Sequence, residues 1–463
     1  MNPPLTAMIA RFIAELDYDA IPARIIEPLN QSVADTIGCA LLGTGTEFAQ
    51  LVGDFVNDWQ SRGEAGLWGT ARSAAAPFAA MANSAACHAW DYDDTIMPAV
   101  LHPGSVAIPT AFAVAAGLPT ATSGRELLTA IAAGYEVGSV IGTALGSKAF
   151  ASGGFYNSVP TIFVAVATAV KLMGLDEEQI VRALGLAASQ AGGLYSATLA
   201  KRFNAPKAVL GGLFAADLAR RGLEASGDSI EADYSGFLGT FSRKPDYASI
   251  PRELGQWSFE IFHKFYPCIR SNHPTVENVR LMLDENPGVN FTHIASIESH
   301  VDQLTVDYTV KTTSGGADGV KTVGNALISL PYCVAAMAID GELTLRQFTE
   351  EKVQDPRFQA LMKNISVQAD PAIDALPATL RYRCTTEMRL HDGRTLRREL
   401  AGPKGDPNNR LTENEMQKKF MDNAAAVYPA DHARELYGKI SRLDLIADVR
   451  EVTRLLASEA VPS

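Results

Sequence analysis

The feature that most constrains the fold is a succession of helix-type segments that fills roughly the first 225 residues. Residues 28–42 are amphipathic, carry a proline in the first turn and end at Gly43, as helices commonly do. Residues 176–190 begin with an acidic turn that suits the helix dipole. We find no fixed-period repeat, so a solenoid is not expected. Further helices are predicted at residues 50–59, at 106–116 with Pro109 in the first turn, at 123–138, at 160–173 and at 205–221.

The sequence changes character after Pro267. Residues 304–310 alternate with period two and predict a strand, and residues 294–301 are a weaker strand candidate. Residues 380–390 and 395–400 flank an Asp-Gly turn and predict a hairpin. Together with helices predicted at 274–283 and 325–339, these segments form a smaller α+β module.

Helical sequence resumes at residues 412–426 and 433–456, and we expect these helices to fold back onto the first domain. The predicted fold class is therefore mainly α, with an α+β second domain. The large all-helical domain is discontinuous and comprises residues 1–267 and 403–463. The smaller α+β lid domain comprises residues 268–402. A length of 463 residues agrees with two domains.

Composition narrows the class of protein. Hydrophobic residues make up 47% and charged residues 20%, as in ordinary globular proteins, and the net charge of -12 argues against nucleic acid or an anionic membrane as a partner. No targeting segment is recognisable, and no apolar run reaches the ~18 residues of a membrane span. The five scattered cysteines form no Cys-x-x-Cys. A cytoplasmic location is expected.

The stretch from Met81 to Gly104 concentrates polar groups in an apolar context. A helix beginning near residue 74 is predicted to carry polar side chains on one face at i, i+3 and i+4 spacing, near its buried end. Pro98 then breaks the helix, and His102 follows beside a Pro-Gly turn. This combination is typical of an active site, although a surface-facing polar helix end is the alternative. The polar residues on the predicted face are His88, Asp91, Asp94 and Thr95.

Three further stretches could carry chemistry. Lys201 and Arg202 precede a helix start and favour an anion, unless they form a solvated basic loop. Lys264 and Arg270 lie at the predicted domain junction, where ligand sites are common, although this signal is weak alone. Tyr332 enters an apolar helix and is more often a core residue than a functional donor.

Signatures of other chemistries are missing from the sequence. There is no His-Glu-x-x-His, no histidine pair at i, i+4 and no grouped thiolates, so metal-free chemistry is expected. The glycine-rich nucleotide motifs and Gly-x-Ser-x-Gly do not occur in their required contexts. We therefore expect neither nucleotide binding nor serine-hydrolase chemistry.

Several segments in shared order resemble the MmgE/PrpD family, which includes 2-methylcitrate dehydratase, cis-aconitate decarboxylase and iminodisuccinate epimerase. The resemblance implies a helical domain with an inserted α+β lid, a homodimer, no cofactor, and an interdomain site for small di- or tricarboxylates. It also implies active-site roles for Asp91, Thr95, His102, Lys201, Lys264 and Tyr332. The segments are residues 82–95 (ANSAACHAWDYDDT), His102-Pro103, 134–137 (GYEV), 183–189 (ALGLAAS), Lys201-Arg202, 264–268 (KFYPC) with His273-Pro274, and 329–332 (SLPY).

The chain departs from the family pattern at three positions. Imidazoles implied by the resemblance are replaced by Tyr156, Asn204 and Ile269. Because imidazoles move protons near neutral pH, these changes bear on both the dehydratase and the decarboxylase assignments. Tyr156 could act as an acid or donor, and Asn204 remains a candidate substrate-binding residue.

The resulting hypothesis is proton abstraction next to a carboxylate. His102 is the candidate general acid or base, oriented by Asp91, while Lys201, Lys264 and Arg270 hold carboxylates and stabilise enolate-like charge. Dehydration, epimerisation and decarboxylation are alternative outcomes, and a dehydratase-type lyase is the first expectation. The alternatives from other classes are a non-catalytic carboxylate-binding homologue and a helical adaptor protein.

Overall fold

A computed structural model describes residues 4–146, 158–194, 198–310 and 319–457. The chain divides into two compact units. The helical unit comprises residues 1–89, 93–261 and 412–463, and the α+β unit comprises residues 90–92 and 262–411. The short segment 90–92 thus belongs to the α+β unit, although residues on both sides of it belong to the helical unit.

The helical unit begins with eleven α-helices among the described residues. They are α1 (Leu5–Glu15), α2 (Ala23–Gly43), α3 (Glu47–Asp58), α4 (Ala76–Cys87), α5 (Gly104–Gly117), α6 (Gly124–Leu145), α7 (Thr161–Leu172), α8 (Glu177–Ala188), α9 (Asn204–Arg220), α10 (Phe237–Phe241) and α11 (Ser249–Glu253). Two short sheets accompany them: β1 (Ala65–Gly66) with β2 (Ser73–Ala74), and β3 (Thr95–Met97) with β4 (Glu260–Phe262).

Local sequence explains where these helices begin. Ser123 caps α6 and forms a reciprocal capping box with Glu126, and Asp176 does the same for α8 with Gln179. Pro109 lies inside α5, since that helix already begins at Gly104; its predicted place in the first turn was wrong.

The centre of the helical unit is built from α5, α6 and α7. The side chains of α5 are almost all buried. Gly134 of α6 lets α7 approach closely, because a Cβ there would lie 2.2 Å from Thr168 Oγ1. Helix α6, Gly124–Leu145, is long and apolar enough to cross a membrane, but 94% of its most apolar window is buried. It is therefore a core helix of this unit.

The α+β unit contains seven α-helices and a four-stranded sheet among its described residues. The helices are α12 (His273–Glu285), α13 (Gln303–Thr309), α14 (Val323–Ile328), α15 (Leu330–Asp340), α16 (Glu350–Gln354), α17 (Pro356–Met362) and α18 (Pro371–Asp374). The strands are β5 (Ile294–Val301), β6 (Ile365–Ala369), β7 (Cys384–Leu390) and β8 (Thr395–Leu400).

The sheet has the strand order β6-β5-β7-β8. Strands β5 and β6 are parallel, and β5, β7 and β8 are antiparallel neighbours with Ile297 opposite Met388. The predicted hairpin and the weaker strand candidate are thus confirmed. Helix α12 packs against α15 and against the hairpin, which closes the core of this unit.

Two predictions for the α+β unit were wrong. Residues 304–310 are not a strand, because Gln303–Thr309 form a helix whose first turn is capped by the Asp302 side chain. Residues 325–339 do not form one helix, because Ser329 ends α14 and caps α15.

The chain closes with three helices of the helical unit: α19 (Glu413–Ala424), α20 (Ala430–Ile440) and α21 (Arg450–Leu456). The helical segment predicted at 433–456 is therefore two helices separated by a turn. Helix α19 packs against α2, where Lys419 forms a buried ion pair with Asp35 at 2.5 Å.

Candidate functional site

The polar stretch after α4 lies on a loop and not on the helix face predicted from its spacing. Helix α4 ends at Cys87, His88 is its C-terminal cap, and Asp91 has a positive φ of 51°, which no helix continues through. The predicted burial is nevertheless found. The buried polar side chains of this stretch are His88, Asp93, Asp94 and Thr95.

Asp93 is the centre of this stretch. Its carboxylate has no solvent exposure, and both of its oxygens lie 3.0 Å from His88 Nδ1. His102 Nδ1 lies 3.3 Å from Asp93 Oδ2, and the two imidazole rings meet edge to face at 4.7 Å. Burial alone raises the pKa of Asp93, but the two imidazoles outweigh it and hold that pKa well below its ordinary value. Asp93 is therefore a buried carboxylate anion.

These contacts determine where the imidazole protons lie. A carboxylate only accepts hydrogen bonds, so the His88 Nδ1 that bonds to Asp93 carries the hydrogen. We assign the hydrogen of a neutral His102 ring to Nδ1 as well, because a lone pair there would face the carboxylate at 3.3 Å. The lone pair of a neutral His102 ring is then on Nε2. This is the arrangement in which a carboxylate orients a histidine for proton transfer.

Asp94 fixes the backbone on which His102 sits. Its carboxyl group accepts hydrogen bonds from Tyr135 Oη at 2.5 Å, from Ser32 Oγ at 2.8 Å and from the Gly104 backbone N–H at 3.0 Å. Gly104 has no alternative, since a Cβ there would lie 2.5 Å from Asp94 Oδ1. Burial raises the pKa of Asp94 to about 7. The residue thus anchors the start of α5, two positions after His102.

A small cleft opens beside the two imidazoles. Lys201 and Asn204 line it together with His88 and His102. Lys201 belongs to a 3-10 helix, Thr198–Phe203, that leads directly into α9. The enclosed part of the cleft has a volume of about 20 Å³, which is room for one small polar group. The remaining lining residues are Val100, Leu101, Ser158, Thr161 and Ala205.

Lys264 has a separate partner within the α+β unit. Its Nζ atom donates to the Asp91 carboxylate and, at 2.5 Å, to the Asp91 backbone carbonyl. The Lys264 side chain is 1% exposed and that of Asp91 is 14% exposed. Tyr92 Oη also donates to the Phe265 carbonyl at 3.2 Å. The segment 90–92 is thus tied to the segment after β4 that carries Lys264.

Arg270 contacts two aromatic rings and a carboxylate in the α+β unit. Its guanidinium lies 2.9 Å from the centroid of the Phe262 ring and 3.5 Å from that of Tyr382, and it pairs with Asp406 at 3.4 Å. Both ring contacts and the ion pair are made within this unit, so we expect Arg270 to support its structure.

Tyr332 lies in the core of the α+β unit. Its ring contacts Phe348 and Phe358, and its hydroxyl donates to the Gln347 carbonyl. Burial raises the pKa of Tyr332 far above the ordinary value for tyrosine. These contacts agree with the alternative that Tyr332 is a core residue.

The remaining candidates are less constrained. Thr95 is buried in β3, and its Oγ1 atom makes no hydrogen bond with any residue that the structure describes. Arg202 follows Lys201 in the 3-10 helix and is partly buried. Tyr156 lies outside the described residues.

Sequence reasoning missed Asp93. In the hypothesis, Asp91 orients His102. In the structure, Asp93 is the carboxylate that contacts His102, and Asp91 pairs with Lys264. Three carboxylates within four residues are indistinguishable by type or spacing. The positive φ of Asp91, which sends neighbouring side chains in different directions, is not visible in the sequence.

Fold and site together define a mainly helical protein with a smaller α+β unit and a buried carboxylate that binds two imidazoles beside a lysine. Residues 7–250 match the MmgE/PrpD N-terminal domain, and residues 266–444 match the MmgE/PrpD C-terminal domain. The chain belongs to the MmgE/PrpD family.

Curated relatives span the full chain. The chain is 26% identical over 480 residues to the cis-aconitate decarboxylase-like protein oryM of Aspergillus oryzae, covering 98% of each. It is 27% identical over 484 residues to the cis-aconitate decarboxylase of Homo sapiens, covering 100% of this chain and 96% of the relative. The cis-aconitate decarboxylase of Aspergillus terreus is 26% identical over 479 residues, with 98% and 96% covered. Family membership and a lyase-type role are supported at this identity, and a particular reaction is not.

Proposed function

We propose that this protein is a lyase for small di- or tricarboxylic acids and acts by proton transfer at a carbon next to a carboxylate. One observation carries the proposal: His102, held through Nδ1 by the buried Asp93, lines the same cleft as Lys201. The first group can accept or return a proton at Nε2, and the second can hold a carboxylate. An acidic protein thereby keeps a cationic group where an anionic substrate needs it.

Lys264 and Asp91 form the second part of the proposed machinery. The buried ammonium group of Lys264 is suited to stabilise the enolate-like charge that develops when the proton leaves. Chain connectivity supports its involvement, because Asp91 is only two residues from Asp93. We assign Thr95, whose buried hydroxyl lies in β3, to substrate contact, and Arg270 and Tyr332 to supporting the α+β unit.

The fate of the intermediate decides the reaction. Loss of a β-hydroxyl gives dehydration, loss of carbon dioxide gives decarboxylation, and return of the proton to the other face gives epimerisation. Similarity to cis-aconitate decarboxylases favours decarboxylation. Asn204, which lines the cleft, is one of the positions where a family imidazole is replaced, and it favours a different outcome from theirs. Dehydration and decarboxylation are both lyase reactions, so a lyase acting on a carboxylate is the reaction class that we propose.

The experiment is proton NMR in D₂O with the purified protein and a panel of acids: citrate, methylcitrate, aconitate, tartrate and iminodisuccinate. Deuterium incorporation, alkene formation or carbon dioxide release identifies both the substrate and the outcome. His102→Gln should lose at least ~100-fold in rate, since it cannot transfer the proton. His391→Ala, at an exposed hairpin turn, is the matched control.

Two results would overturn the proposal. Stabilisation of the wild-type protein by an acid with neither exchange nor turnover would make it a non-catalytic carboxylate-binding homologue. Full activity of His102→Gln would remove this histidine from the chemistry.

We also propose a cytoplasmic homodimer. Its structural support is a row of aromatic side chains at the surface of the helical unit: Phe55 stands beside Trp59, Trp59 stacks on Phe78, and Phe78 meets Phe214 edge to face. Trp59 is 64% exposed. An exposed tryptophan that is part of a larger aromatic patch is unusual on the surface of a monomer. Trp59→Glu should give monomers in light-scattering measurements; an unchanged mass would exclude this face.

A further inference from the structure

Three side chains of the helical unit bring metal-ligating atoms close together. The ligand atoms of His88, Asp93 and His102 all lie within 4.8 Å of one another. His88 Nδ1 is 3.0 Å from the Asp93 oxygens, and His102 Nδ1 is 3.3 Å from Oδ2. Ligand atoms around a tetrahedral zinc ion, with bonds of ~2.0–2.1 Å, are about 3.3 Å apart. The two separations from Asp93 are therefore close to those between ligands of one ion.

We propose that His88, Asp93 and His102 bind one divalent transition-metal ion of the zinc class, and that this ion inhibits the enzyme. Two imidazole nitrogens and one carboxylate oxygen are a borderline donor set that suits zinc, cobalt or nickel. Magnesium and calcium prefer sets made of oxygen alone. The inhibition, though not the binding, rests on the function proposed above.

Burial and access both suit a bound ion. His88 is 4% exposed and Asp93 is 0% exposed, so two of the three ligands are held rigidly by their surroundings. Both imidazoles also line the cleft, so solvent reaches the outer side of the cluster. We expect water or chloride as the fourth ligand of a tetrahedral ion.

Inhibition follows from the imidazole tautomers. Without an ion, both rings carry their hydrogen on Nδ1 and His102 keeps a lone pair on Nε2. An ion can bind Nδ1 only if that atom has a lone pair and no hydrogen. The hydrogen of each neutral ring therefore moves to Nε2, and the ring gains or loses no proton overall. His102 then has no lone pair with which to accept a proton from a substrate. The ion also neutralises the Asp93 charge that orients the ring.

The test is titration of the chelator-treated wild-type protein with Co²⁺ alone, followed by visible absorption. A tetrahedral site gives intense d–d bands that octahedral aqueous Co²⁺ lacks. We expect one ion per chain, and at least a ~100-fold weaker affinity in His88→Ala and in Asp93→Asn. His391→Ala removes an exposed histidine and should bind as the wild type does. Far-UV circular dichroism checks that each variant is folded, and His88→Gln replaces His88→Ala if that variant is not.

The outcomes separate this inference from the proposed function. Absence of tetrahedral bands in the wild type, or bands that persist in both His88→Ala and Asp93→Asn, overturns the metal site whatever the enzyme does. If the ion binds and Zn²⁺ lowers the deuterium-exchange rate in proportion to occupancy, both parts stand. Ion binding with unchanged exchange overturns the inhibition. If the panel of acids shows no exchange, the proposed function fails, while absorption still decides the site.

Discussion

The Nδ1 atom of His102 lies 3.3 Å from the Oδ2 atom of Asp93, a carboxylate with no solvent exposure that also binds His88. One buried anion thus orients two imidazoles, and both imidazoles line the cleft that contains Lys201. Because the anion lies behind the rings, the cleft itself offers only cationic or neutral groups to a ligand. The arrangement separates the charge that positions His102 from the charge that holds a substrate.

Asp93→Asn should lower kcat by ~10²–10⁴-fold. The amide removes the charge, and its NH₂ group faces an Nδ1 atom that needs an acceptor, so at least one ring changes tautomer. Deuterium exchange or turnover with the substrate found in the panel is the measurement, and KM should change much less. Asp431→Asn, at an exposed helix start, is the control for loss of one carboxylate. Wild-type kcat in Asp93→Asn would show that this carboxylate does not orient the reacting group.

Lys201→Met should lower kcat/KM by ~10–100-fold, the value of a charged hydrogen bond to a carboxylate. Methionine keeps the length of the side chain and removes the charge. Lys207→Met is a matched control six residues further along, since the Lys207 ammonium group donates to the Gly192 carbonyl at 2.9 Å. Equal kinetics for Lys201→Met and Lys207→Met would place Lys201 outside the binding site.

Lys264→Met should lower the thermal unfolding midpoint as well as activity. The pair with Asp91 is buried, so removing the cation leaves a carboxylate without its partner, at a cost of ~3–5 kcal/mol. The double variant Asp91→Asn, Lys264→Met should recover most of the lost stability, because asparagine is neutral and tolerates the positive φ at this position. It should not recover activity. If the double variant unfolds at the same temperature as Lys264→Met, the pair does not stabilise the fold.

Local signals carried most of the fold prediction. The helix capped by Asp176 was predicted from its acidic first turn, which suits the helix dipole, and a long helix was predicted to start at Ser123, which caps it. The hairpin was predicted from its Asp-Gly turn and alternating strands. Each of these elements is specified by residues within a few positions of its ends, and the structure confirms them.

The errors arose where a tertiary contact or a single dihedral angle decided the outcome. Residues 304–310 alternate like a strand, but seven residues fit both periods, and the capping contact from the Asp302 side chain to the Thr305 N–H selects the helix. The polar residues after Cys87 have helical spacing, yet the positive φ of Asp91 removes them from any helix. The spacing of the polar residues therefore identified the right stretch. Which basic side chain each carboxylate contacts depends on the conformation of the loop.

Glu136 gives a prediction that does not depend on the proposed function. Its side chain is 1% exposed and accepts hydrogen bonds from the backbone N–H groups of Gly255 at 2.7 Å and Trp257 at 3.3 Å. Burial raises its pKa from 4.5 to about 7, despite these hydrogen bonds. The folded protein therefore keeps a proton that the unfolded chain loses between these two values. The stability that this proton contributes is fully present below about pH 4.5 and is lost as the pH rises through 7. The free energy of unfolding falls by ~3 kcal/mol over this range.

Glu136→Gln should remove this pH dependence. The amide is neutral at every pH and keeps an oxygen for the Gly255 and Trp257 N–H groups, so the variant should be more stable than the wild type above pH 7 by up to ~3 kcal/mol. Unfolding midpoints measured between about pH 5 and pH 8.5 give the difference, which should grow as the pH rises. Glu64→Gln, at an exposed position, should follow the wild type throughout. A constant difference between Glu136→Gln and the wild type across this range would mean that Glu136 stays ionised in the folded protein, and that its two backbone donors outweigh its burial.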